Sequence, residues 1–221
     1  MSRYEWPSRV RRRRFLGSLF LVLLPLLLLA GCFFPTDFDL RIAVRPNGDF
    51  EEFFSGVLVE WNPYERWKKG EFPAEEADRR SKETLRAVLK QPEGKAEDFS
   101  IREESPFRYR VTYRRRGNLH AEFKKTRTPF SEGKPDVMSF LVDMLYLRRG
   151  ADGALLLERR KVPPEDQERF RHLGLEMKGA LSLRVQGKVV EHDAQAVSGG
   201  EHRWTVESIA RPSVRMAFRL D

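Results

Sequence analysis

The feature that most constrains this chain lies at its start. Arg11 to Arg14 form a block of positive charge, and Phe15 to Leu29 is an apolar run broken only by Gly17, Ser18 and Pro25. Small residues follow, Ala30 and Gly31, and then Cys32, the only cysteine in 221 residues. Charge, apolar stretch and small residues before a cut are the parts of a secretory signal, which is not part of the mature fold. The alternative is an uncleaved anchor: Phe15 to Phe34 spans about 20 residues, just enough to cross a bilayer as a helix.

Leu29-Ala30-Gly31-Cys32 resembles the lipobox of bacterial lipoproteins. That resemblance implies a diacylglyceryl group on the Cys32 sulfur, cleavage before Cys32 and acylation of the new amino terminus. More than one acyl chain holds a protein stably at a membrane, whereas one binds marginally. The expected organisation is a signal peptide over 1–31, a lipidated N-terminus with a short tether over 32–37, and a folded domain over 38–221. Localisation follows as the cell membrane or the outer membrane, with the domain on the extracytoplasmic side. Phe33 and Phe34 are placed to enter the bilayer interface beside the lipid.

Cleavage changes the charge argument. The formal charge is +8, but residues 1–31 hold six arginines and one acid, Glu5. The remainder carries 35 basic and 32 acidic residues, so its basicity gives no reason to expect nucleic acid as a partner. A single cysteine also excludes an internal disulfide and a cysteine-based zinc centre.

The mature chain reads as strands and a few helices. Phe38, Leu40, Ile42 and Val44 alternate with Asp39, Arg41, Ala43 and Arg45, the period of a half-buried strand. Pro46-Asn47-Gly48 is a turn, and Phe50 to Val59 is the return strand. Residues 60–72 read as irregular, with Trp61, Tyr64 and Trp67 either capping the core or lining a groove. Pro73 opens a long helix through Ala77, Ser81, Leu85, Val88 and Leu89, and Pro92 ends it. A charged loop leads to a strand with Phe107, Tyr109, Val111 and Tyr113 on one side and Arg108, Arg110, Thr112 and Arg114 on the other. Short helices are expected near 119–125 and from Pro164 to His172. Val137 to Leu147 is apolar and reads as one buried strand, with a helix as the alternative, and strands are expected over Leu155–Lys161, from Leu181, over His202–Glu207 and over Val214–Leu220. The sum is an α+β fold: a mostly antiparallel β-sheet packed on one face by one long and one or two short helices.

Two stretches carry a family resemblance: Leu40 to Asp49, and Val185 to Glu207 with Gly187, Val189, His192, Gly199, Gly200, Trp204 and Thr205. They resemble the LppM-like lipoprotein family. The resemblance implies an α+β envelope domain without an established reaction, and covers the two ends of the mature chain.

The search for chemistry returns little. Glu191-His192-Asp193 and Glu201-His202 are the nearest approach to a metal cluster, but consecutive strand residues point to opposite sides, so no metal or cofactor is expected. No nucleophile elbow or phosphate loop is present. The expected role is non-catalytic, binding a lipid, another envelope component or a partner protein; the alternative is an envelope enzyme with an unrecognised site. Arginines on the polar sides of strands are the candidate contacts: Arg41, Arg45, Arg108, Arg110, Arg114, Arg215 and Arg219. On one sheet face they would meet anionic lipid or an anionic envelope polymer; alternatively they are a solvated face paired with Asp and Glu.

Overall fold

A computed structural model describes residues 33–71, 73–90, 96–126, 137–139, 145–150, 152–159, 161–209 and 214–220. Cys32–Asp221 forms one compact unit. The expected signal peptide, Cys32 and the expected helix stop at Pro92 lie outside the described residues. No helix among those described is long and apolar enough to cross a membrane.

The elements in order are β1 (Phe33–Val44), β2 (Asp49–Glu60), α1 (Trp61–Lys68), α2 (Ala74–Lys90), β3 (Ala96–Ser105), β4 (Arg108–Asn118), α3 (Leu119–Thr126), β5 (Val137–Ser139), β6 (Leu145–Arg149), β7 (Leu155–Arg159), α4 (Pro164–His172), β8 (Gly179–Val185), β9 (Lys188–His192), β10 (Ala196–Ser198), β11 (Glu201–Val206) and β12 (Arg215–Arg219). The α+β class is as expected. The strands divide between a seven-stranded sheet, order β10-β11-β8-β1-β2-β4-β3, and a five-stranded sheet, order β5-β6-β7-β12-β9. All pairings are antiparallel except β1 with β8.

The chain enters the sheet earlier than expected. β1 starts at Phe33, not Phe38, and Phe33 to Thr36 pair with Glu60 to Val57 of β2. A β-bulge then shifts the register between Thr36 and Asp39, with Asp37 at φ 50. One extra residue inverts the side-chain phase, which hides the first stretch from a period-two reading. Pro35 is tolerated there because β8 joins β1 only from Phe38 onward, so at Pro35 the strand has one neighbour and its missing N–H breaks no ladder. Beyond the bulge β8 runs close: a Cβ on Gly179 would meet the Phe38 carbonyl oxygen at 2.3 Å. The strand therefore leaves no separate tether over residues 33–37.

The seven-stranded sheet has an inner and an outer face. Leu40, Ile42, Phe54, Tyr109, Val111, Tyr113, Leu181, Leu183 and Trp204 face inward and are buried. They share one core with Leu85 and Leu89 of α2, Leu119 and Phe123 of α3, and Leu147, Leu157, Met216 and Phe218 of the second sheet. Where the sheets meet, Asp193 accepts from the Trp204 indole Nε1–H and from the Arg215 backbone N–H, each at 2.7 Å.

The outer face is covered near the start of β1. Before the bulge, Phe34 and Thr36 lie opposite Val59 and Val57, on the side that carries Glu51 and Phe53 further along β2. Phe34, Val57 and Val59 are buried there, and Phe34 stacks on Phe170 of α4 with ring centroids 4.5 Å apart. So α4 crosses the outer face near the start of β1. The expectation that Phe33 and Phe34 enter the bilayer is corrected for Phe34, which is a core residue; Phe33 is half-buried against the same core.

Residues 61–68 are helical, not irregular. Glu65 is buried on the inward side of α1, where Arg169 and Lys69 bind it and hold its carboxyl below the usual range. A charged residue at a core position erases the apolar periodicity that marks a short helix. Tyr64 is buried and Trp61 and Trp67 pack against the core, which is the capping arrangement. The charged stretch before Phe107 is likewise a strand, β3. It lies at the sheet edge with two register shifts against β4, so most of its side chains are exposed and no alternation is visible.

Candidate functional site

The open end of the outer face is a trough along β1. Two adjoining concavities, of about 520 and 440 Å³, share Ala43, Glu51 and Arg184. Ala43 lies opposite Glu51 on β2 and Arg184 on β8. A methyl group there, between long neighbours, leaves the depression. Around it stand Arg41, Arg45, Arg114, Arg116 and Arg184, with Asp49, Glu51 and Glu201 among them.

The cations are partly compensated. Glu51 binds Arg116 at 3.1 Å and Arg114 at 3.3 Å, and Arg116 also reaches Glu97 at 2.8 Å. Glu201 binds Arg203 at 2.8 Å and Arg184 at 3.6 Å; its bond to Arg203, the larger cause, and the neighbouring charges hold its carboxyl below the usual range. Arg41 pairs with Asp39 and lies over the Phe53 ring, 5.7 Å from its centroid. Arg45 forms no ion pair among the described residues. With the partners just named included, six arginines (Arg203 among them) face five carboxylates, Asp39, Asp49, Glu51, Glu97 and Glu201, which leaves the trough and its rim positive by one charge, and exposed pairs of this kind are worth at most about 1 kcal/mol each. An incoming anion can therefore exchange for a resident carboxylate at little cost.

The expected arginines divide. Arg41, Arg45, Arg108, Arg110 and Arg114 share the outer side of the seven-stranded sheet, with Arg110 bound to Glu104 at 2.6 Å near the α4 end. Arg215 and Arg219 are on β12 in the other sheet and are not brought to this face. There they pair with Glu191 at 3.3 Å and Asp152 at 2.7 Å. β12 pairs with β7 and β9, a long-range choice that strand-by-strand alternation does not specify. Arg116 and Arg184 belong to the trough and were not among the candidates. Both carry the alternation signal: Arg116 extends the Arg108–Arg114 series, and Arg184 lies between inward Leu183 and Val185.

The two histidine stretches lie in different sheets, one on β9 and the other on β11. His192 and His202 nevertheless meet edge to face, with ring centroids 4.6 Å apart. Glu191, Asp193 and Glu201 are engaged with Arg215, Trp204 and Arg203, and no group of three metal-ligating side chains forms among the described residues. Neither concavity is lined by the pair. His202 is buried, and its Nδ1 has no hydrogen-bond partner among the described residues. Burial, and secondarily His192, push its pKa down. The unfolded chain then takes the proton first, so stability falls as pH drops below the ordinary value near 6.5. Urea unfolding at pH 7.5 and 5.5 should show this loss in the parent and a smaller one in His202→Leu. Equal losses in both would remove His202 as the cause.

The residues of the family resemblance have structural duties. A Cβ on Gly187 would meet the Arg219 carbonyl oxygen at 2.3 Å, Gly199 and Gly200 sit at φ 56 and 75 in the β10–β11 turn, and Trp204 is fully buried. None of these four lines the trough, whereas the other stretch of the resemblance, Leu40 to Asp49, supplies its Arg41, Ala43, Arg45 and Asp49.

No protein-family model matches the chain, and no curated protein matches it. Among solved structures it is similar to the NMR structure of the folded domain of LppM from Mycobacterium tuberculosis. The TM-score is 0.38 at 13% identity, covering 85% of this chain and 92% of that one. So distant an overlap lends no functional argument, and the trough is read from its own residues.

Proposed function

We propose that this chain is a bacterial lipoprotein, anchored by lipid on Cys32 to the extracytoplasmic side of a cell membrane or outer membrane, and that its role is non-catalytic. Its outer sheet face binds an anionic envelope component, either a lipid headgroup or a linear polymer bearing phosphate or carboxylate. The observation that carries the binding role is the arginine-lined trough centred on Ala43. The anchoring rests on Leu29-Ala30-Gly31-Cys32 following the basic and apolar segments.

The soluble domain, residues 33–221, tests the binding role by co-sedimentation with phosphatidylglycerol vesicles and by titration with poly(glycerol phosphate). Binding should weaken with salt. The double variant Arg45→Ala, Arg184→Ala should lose about 2 kcal/mol, roughly thirtyfold in affinity, at about 1 kcal/mol per basic group. Absence of salt-sensitive binding to either probe would refute the role.

A further inference from the structure

We infer that the anchored protein stands on the bilayer through the end of the domain built by α1 and α4, with Trp61 at headgroup level and the arginine trough turned away from that membrane. This inference rests on lipidation of Cys32. It specifies which surface the lipid brings against the membrane.

The first observation is the absence of slack. Phe33, bonded directly to Cys32, already lies in the sheet, in register opposite Glu60. Neighbouring Cα atoms are about 3.8 Å apart, so a lipid on Cys32 holds the start of β1 at the membrane. The surface around that point must therefore be the one in contact.

The second observation is what that surface carries. Trp61 follows Glu60 directly, is half-buried, and touches Phe170 edge-on at 5.3 Å. The Arg169 guanidinium lies over its ring, 4.5 Å from the centroid. Glu65 binds both Arg169 and Lys69, which draws the basic C-terminal ends of α1 and α4 together. Arg66, Lys68 and Arg171 are exposed in the same two helix ends, with Glu71 paired to Arg66 and Glu168 to His172 as the neighbouring carboxylates. A tryptophan with an apolar body and a wet edge, ringed by long basic side chains, matches the headgroup layer of a bilayer.

The third observation excludes the arginine face as the seat. α4 covers that face where it is nearest Cys32, through Phe170 on Phe34. The uncovered part close by carries Asp37, exposed, and Glu104, both paired with Arg110, beside Arg102 and Arg108, so its charges nearly cancel and it offers little attraction to anionic headgroups. Ala43 is ten residues along β1 from Phe33, about 30 Å at a strand rise of roughly 3.3 Å. That distance is several Debye lengths of about 8 Å, beyond the reach of the membrane's surface potential. The trough is then free for a polymer, or for the headgroup of a lipid presented from the aqueous side, and does not take headgroups of the membrane that holds the anchor.

The test uses the mature lipidated chain in phosphatidylcholine–phosphatidylglycerol vesicles that contain brominated phospholipid. Mass spectrometry first establishes the diacylglyceryl group on Cys32. Tryptophan emission should be quenched, and Trp61→Phe should lower the quenched fraction by about half, since the buried Trp204 lies outside the headgroup layer. In the Ala43→Cys variant, whose thiol is the only unmodified one, an attached fluorophore should not be quenched. Quenching at position 43, or quenching unchanged by Trp61→Phe, overturns the seating while leaving the anchor intact. An unmodified Cys32 overturns the anchor and the seating together.

Discussion

Glu52→Ala should lower the stability of the domain by about 3–5 kcal/mol, measured by urea unfolding. Glu52 is 0% exposed on the inner face of β2. It accepts the Tyr113 hydroxyl at 2.6 Å and pairs with Arg115 at 3.4 Å. Arg115 is buried as well, lies over the Phe50 ring at 5.2 Å, and has Glu122 of α3 as a second carboxylate at 3.4 Å. Without Glu52, the guanidinium stays in the core with less countercharge and the Tyr113 hydroxyl loses an acceptor. The loss comes from a stranded charge, so removing that charge should return part of it: Glu52→Leu with Arg115→Met should be more stable than Glu52→Leu alone. A single-variant loss below about 1 kcal/mol would mean that the pair is not held from water as the burial implies. The consequence reaches the trough, because Glu51 and Phe53, the two neighbours of Glu52, face it.

Asp78→Ala should cost about 2–3 kcal/mol, which for a domain of this size lowers the melting temperature by roughly 4–12 °C. Asp78 is buried on α2. One carboxylate oxygen accepts the Phe107 backbone N–H at 2.6 Å and the Tyr109 hydroxyl at 2.6 Å. Phe107 stands at φ 62 in the turn from β3 to β4, a backbone region that is costly for a bulky residue. Its ring is fully buried, so the turn cannot relax by exposing it. Asp78 therefore holds a strained turn to the long helix. Burial, with Asp78 as the next cause, keeps Tyr109 protonated far above its ordinary pKa, so the hydroxyl remains a donor. Asp78→Asn keeps an acceptor and should lose less than Asp78→Ala in differential scanning calorimetry. Equal losses would assign the effect to charge instead of hydrogen bonding.

Local patterns were legible where one face of an element is wet. The alternation from Phe38 to Val44 marks β1, and that from Tyr109 to Tyr113 marks β4. Pro46-Asn47-Gly48 turns the first hairpin, with Gly48 at φ 82. The Ser81–Leu85–Leu89 stripe marks α2, and Pro164 opens α4. The reading failed where burial and polarity part company. Phe34 and Thr36 lie before a bulge and beneath α4, so both faces of the chain are covered there. Glu65 and Glu52 are charged and buried, and pairing with Arg169 and Arg115 permits that only after distant segments meet. β3 is an edge strand with two irregularities, which leaves no period to read.

The amino-acid order alone determined the class of fold, most of the strands and helices, and the outward direction of Arg41, Arg45, Arg108, Arg110 and Arg114. These follow from side-chain period, proline and glycine geometry, and the local separation of apolar from polar residues. Tertiary structure decided which arginines share a face. Arg184 joins the trough because β8 runs parallel beside β1, and Arg215 and Arg219 leave it because β12 pairs with β7 and β9. It also placed α4 over the end of the sheet nearest Cys32. Strand pairing and helix docking are selected by complementarity between surfaces far apart in the chain, and no local period encodes that choice.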